Sequence, residues 1–124
     1  MNRSVFWVVI VLMLGGLLFV FTFNAPDTPP LTAVQSQEKT FTLVVQNRTL
    51  VSGPSTLIVK QGDQVTINIT VDEDEELHVH GYDISVDLEK GKQGSLTFTA
   101  SASGRFPFEL EHSKTELGAL EVQP

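Results

Sequence analysis

From residue 41 onward, apolar and polar residues alternate with a period of two. Phe41, Leu43 and Val45 flank Thr42 and Val44, and Leu57 and Val59 precede the turn Lys60-Gln61-Gly62-Asp63. Val65, Ile67, Ile69 and Val71 alternate with Thr66, Asn68 and Thr70, the cleanest such run in the chain. Leu77 and Val79 alternate with His78 and His80, and Ile84, Val86 and Leu88 with Ser85 and Asp87. Leu96 and Phe98 follow, then Phe106, Phe108 and Leu110, and Leu120 and Val122 close the pattern. A strand with one face in a core and one in water reads this way, because successive side chains point to opposite faces. Seven or eight such strands separated by Gly- and Ser-rich turns predict an all-β, Greek-key antiparallel β-sandwich. Pro107 interrupts one strand. Proline donates no N–H to a ladder, so that strand is expected at an edge, or with the position facing outward.

The N-terminus follows a different pattern. Val5 to Phe23 is nineteen residues without a charge, about the length of a membrane-spanning helix. Residues 1–23 are therefore expected to form an N-terminal membrane anchor. A cleaved signal peptide is the alternative, with Ala25 as its best cleavage position. Arg3 and the N-terminus favour the cytoplasmic side. The expected location is thus the inner membrane, single-pass, with the C-terminal domain periplasmic or extracellular. Residues 24–39, rich in Pro, Thr, Gln and Ser, have linker composition, and residues 40–124 form the one domain.

Charge narrows the partners. All fifteen acidic residues follow the anchor against seven of the eight basic ones, so the exported part carries a net charge of −8. That argues against nucleic acid and anionic lipid. The acidic run Asp72 to Glu76 reads as a solvated loop. Two Asn-X-Thr triplets, at Asn47 and Asn68, read as strand and turn residues. The chain contains no cysteine, so the domain must hold together without disulfides.

Three stretches carry a family resemblance. "STLIVKQGDQVTINIT", "ELHVHGYDISVDLEKGKQGSLTFTASASGRFPFEL" and "ELGALEV" resemble the cupredoxins, small copper-binding β-sandwiches, over about residues 40–122. Domains related to cytochrome oxidase subunit II and nitrous-oxide reductase are the nearest in pattern. The resemblance implies a cupredoxin-like fold but not the family's blue-copper site, which takes two His, one Cys and a weak axial Met. Leu110 stands where the Cys is expected, Glu116 where the Met is, and Glu75 where the first His is. The second His is expected near Ser113, one position from His112. With no Cys, and Met only at positions 1 and 13, no thiolate centre can form.

Another site is open to the histidines. His78 and His80 are two apart in a strand and share a face. In a cupredoxin-like fold His112 ends near the same rim. Three neutral imidazoles make a competent site for Cu(II), with Zn(II) second. Glu76, Glu109 and Glu111 are available as further ligands. The other reading makes these histidines part of an exposed strand face. Gly81 and Tyr82 read as a strand bend and a rim aromatic. No catalytic signature is recognisable, so no enzymatic activity is expected. The expected function is copper binding without thiolate, for capture, delivery or sensing near the membrane. The alternative is a metal-free interaction module that docks onto a membrane complex, or an electron-transfer-associated protein.

Overall fold

The computed structural model describes residues 35–124. The proposed anchor, residues 1–23, and most of the linker lie outside the described residues. Among those described, no helix is long and apolar enough to cross a membrane.

Among the described residues nine strands form: β1 (Glu38–Gln46), β2 (Thr49–Ser52), β3 (Thr56–Lys60), β4 (Gln64–Thr70), β5 (Glu75–Val79), β6 (Ile84–Leu88), β7 (Gln93–Thr99), β8 (Gly104–Leu110) and β9 (Thr115–Gln123). They build two sheets, one in the order β2-β1-β4-β7 and one in the order β3-β9-β8-β5-β6. The core gathers the apolar parity of each strand, with Leu43, Val65, Ile67, Ile69, Leu77, Val79 and Phe108 fully buried. The β-sandwich expected from the alternation is therefore present.

The expectation of an antiparallel sandwich needs correcting, because both sheets are mixed. β1 runs parallel to β4, from Glu38↔Gln64 to Val44↔Thr70. β3 runs parallel to β9, from Thr56↔Ala119 to Lys60↔Gln123. Parallel neighbours need a crossover between them, and here the chain supplies it by passing to the other sheet and back. Alternation has the same period in parallel and antiparallel strands, so it carries no direction. β1 begins at Glu38, two residues inside the stretch assigned to the linker. Just before it, Gln37 donates its N–H to Asp63 Oδ1 (3.1 Å) and accepts the N–H of Gln64 (2.9 Å).

β8 is interior, between β9 and β5, so Pro107 does not mark an edge strand. It takes the other expected solution, with its side chain on the face opposite buried Phe108. Its carbonyl accepts the His80 N–H at 2.9 Å. Between Phe108 and Glu109 the β8–β9 register shifts: Phe108 faces Gly118 and Glu109 faces Glu116. Leu117 is the extra residue of a β-bulge, a device that re-aims neighbouring side chains.

The acidic run is not a free loop. Asp72 Oδ2 accepts the Asn47 N–H (2.9 Å), Glu73 pairs with Arg48 (2.7 Å), and Asp74 Oδ1 accepts the Lys90 N–H (2.8 Å). Asn47 and Arg48 form the tip of the β1–β2 hairpin, both with positive φ (49° and 59°), as a type I′ turn requires. Three of the five acids thus fasten the β4–β5 loop to two other turns. Glu75, 2% exposed, points inward.

Candidate metal centre

β5 separates core from chemistry by parity. Leu77 and Val79 are fully buried, while His78 and His80 point to the outer face of the five-stranded sheet. On β8, Glu109 lies directly opposite His78 and belongs to the outward parity, because Phe108 and Leu110 are buried. Side chains directly opposite each other start about 5 Å apart, and diagonal ones remain within reach of long side chains. Glu109 therefore meets both histidines.

The resulting contacts are close. The His78 and His80 rings lie 4.5 Å apart between centroids. His80 Nε2 and Glu109 Oε1 are 2.8 Å apart, the imidazole N–H donating to the carboxylate. One ligand atom from each of His78, His80 and Glu109 falls within 4.8 Å of the others. Donors held about 2.0–2.1 Å from one ion stand no more than about 4.2 Å apart. Three donors in a tetrahedral set stand about 3.4 Å apart, so side-chain rotations that bring these atoms closer by up to about 1.4 Å would close them on a metal. The His78 side chain is 23% exposed, His80 46% and Glu109 20%, so the group is open to solvent on one side.

Glu111 follows on the same face. Its Oε1 accepts from Lys114 Nζ at 2.8 Å. Its Oε2 lies 3.5 Å from His78 Nδ1 yet is buried without a hydrogen-bond partner. At that separation the contact is electrostatic and not a formed hydrogen bond. The Lys114 ammonium, hydrogen-bonded to it, holds the Glu111 carboxyl down to about 2. Lys114 is raised in turn, first by its hydrogen bond to Glu111, and also by the charges of Glu111, Glu109 and Glu76.

The other candidate residues fall elsewhere. His112 stands in the turn after β8 and is not part of the three-residue group. Its N–H donates to Glu75 Oε2 (3.0 Å), and its Nδ1 is 4.0 Å from the same oxygen. Glu76 is half-buried beside that turn, its carbonyl accepting the Glu111 N–H (2.8 Å). At the positions where the resemblance put copper ligands, Leu110 is buried in the core, Glu116 is exposed, and buried Glu75 grips the His112 backbone. A blue-copper centre does not fit these residues. They offer a hydrocarbon for the thiolate, and a carboxylate already bound to main chain for the first imidazole. Gly81, at φ 83°, bends the chain after β5. Tyr82 packs on Phe98 and Phe106 and donates its hydroxyl to the Ala102 carbonyl (2.7 Å).

Comparison with known proteins agrees with this architecture. The chain belongs to the cupredoxin-like domain family, whose sequence model matches residues 10–120. Its fold is shared with a copper-binding protein solved in its apo form by NMR (13% identity, TM-score 0.59, covering 72% of this chain and 91% of that one). It is shared with a chain of a heme-copper terminal oxidase dimer (17% identity, TM-score 0.60, covering 97% and 90%). Auracyanin from Roseiflexus castenholzii is a third (15% identity, TM-score 0.55, covering 73% and 98%). At these identities the likeness is one of fold. No curated protein matches the chain.

Proposed function

We propose that this chain is a membrane-anchored, exported domain that binds Cu(II) through His78, His80 and Glu109, for capture, delivery or sensing of the metal. The observation that carries this reading is the convergence of two imidazoles and a carboxylate within 4.8 Å on adjacent strands. That donor set suits Cu(II) first and Zn(II) second, and it lacks the soft sulfur ligands that select Cu(I). A copper-binding protein among the structural neighbours is consistent with the choice of metal.

The test is a Cu(II) and Zn(II) titration of the purified chain and of His78→Ala, His80→Ala, Glu109→Gln and His112→Ala. Melting curves establish that each variant is folded. The first three substitutions are expected to weaken binding at least about tenfold, the loss seen when even supporting groups of metal sites are removed. His112→Ala is expected to change binding less than about threefold. Equal affinity in the wild type and the three site variants would end this reading.

The second reading, a metal-free docking module, draws on one observation. A chain of a heme-copper terminal oxidase dimer shares the fold, with the likeness covering 97% of this chain. A domain that served only to dock would give the same weak, nonspecific metal binding in all five proteins.

A further inference from the structure

Resting on the metal reading above, we propose that Lys114 is an internal cation that competes with the metal, and that loading of the site is an exchange of the Lys114 ammonium for the ion. On exchange, Glu111 leaves Lys114 and becomes the fourth donor beside His78, His80 and Glu109.

Several observations converge on this. Glu109 and Glu111 put two carboxylates on one patch with the two histidines, and Glu76 adds a third negative charge within electrostatic reach of Lys114. Lys114 is the cation that faces them. Glu111 is divided between the two partners: Oε1 is bonded to Lys114, while Oε2 is buried, unpartnered and 3.5 Å from His78 Nδ1. A buried carboxylate oxygen without a donor is costly unless a cation comes to it. Lys114 meets only one side of the carboxylate, and the open side looks toward the histidines. The Lys114 side chain is 71% exposed, so it can swing into solvent without unmaking any packing. A divalent ion between Glu109, Glu111 and the imidazoles would repel it.

The exchange also links the site to the loop beside it. Lys114 ends the turn whose His112 N–H is held by buried Glu75. Metal occupancy therefore changes the charge balance in the β8–β9 turn, next to the Glu75 contact that holds it.

The test compares Cu(II) affinity in the wild type, Lys114→Gln, Lys114→Arg and Lys92→Gln. Lys92 is an exposed lysine on the β6–β7 turn, where it pairs with Glu89, so its loss changes the net charge equally without touching the patch. Lys114→Gln is expected to bind Cu(II) about two- to fivefold more tightly, the range for removing an exposed ion-pair competitor. Lys114→Arg is expected to stay within about a factor of two of the wild type, as is Lys92→Gln. A gain in Lys114→Gln no larger than in Lys92→Gln, or a loss of affinity, overturns the proposal while leaving the copper site standing. If the wild type binds no better than His78→Ala, the site reading fails and this inference falls with it.

Discussion

Gly118→Ala is the substitution that most directly tests how β8, which carries Glu109, is seated. A Cβ at position 118 would lie 1.9 Å from the Ser55 carbonyl oxygen, 2.8 Å from its carbon, and 3.0 Å from the tip of the Phe108 ring. Two of the three neighbours are main-chain atoms, and the third is a fully buried ring, so none can swing aside. To restore even a 3.0 Å contact, the Ser55 backbone must retreat by about 1 Å. The bond it accepts from the Ala119 N–H, now 2.9 Å, would then exceed hydrogen-bonding distance. Losing it costs about 1 kcal/mol, and overpacking beside Phe108 adds about 1–3 kcal/mol. A total of about 2–4 kcal/mol lowers the melting temperature of a domain this size by about 10–30 °C. Circular-dichroism melts of the purified chain measure it, with Gly91→Ala as control. Gly91 has open space around it and only a positive φ of 75° to lose, a cost of about 1 kcal/mol. A Gly118→Ala melting temperature within about 3 °C of the wild type would refute the close approach of β9 to the Ser55 turn.

Glu111 sets a pH dependence. Its carboxyl is lowered from 4.5 to about 2 in the folded protein, chiefly by Lys114. The ionised form therefore favours folding above about pH 4.5, and this contribution is lost as pH falls through the folded value near 2. In urea titrations of the metal-free chain, Glu111→Gln is expected to flatten the decline in stability across that window; parallel curves for wild type and variant would contradict the assignment. Cu(II)-loaded protein is expected to show only a weak visible band and no intense thiolate transition, because the chain has no cysteine. A strong blue colour in the absorption spectrum would mean that sulfur ligates the metal.

Parity made much of this legible in advance. Leu77 and Val79 fill the core and His78 and His80 face outward, as alternation requires. Strand direction and register were not legible, since neither is written into a period-two pattern. Pairing of His78 with Glu109 depends on a register between segments some thirty residues apart, so the sequence could offer Glu109 only as one of three nearby carboxylates. β2 escaped notice because it is four residues long and turns only Leu50 toward the core. Reading Asp72 to Glu76 as a solvated run overlooked a usable signal. Glu75 has the parity of Leu77 and Val79, and a carboxylate on a buried face must find donors. It finds the His112 N–H.

The placement of the candidate ligands bears on what a bound ion could do. Glu75 and Leu110 point inward, at positions where the resemblance to copper sandwiches put ligands, and both are committed to holding the fold. His78, His80 and Glu109 use the opposite parity of the same strands, so a metal there would sit on the outside of the sheet. Strands of the sheet centre hold their side chains precisely, because β5 and β8 are each paired on both sides. Exposure works the other way. With His80 46% exposed, one side of an ion would remain open to water and to an incoming ligand. Electron transfer needs a coordination sphere that barely changes between redox states, whereas delivery needs one that a partner can enter. If an ion binds there, two imidazoles and a carboxylate on a rigid strand pair, open on one side, would suit one that is held and handed on better than one that stays and cycles.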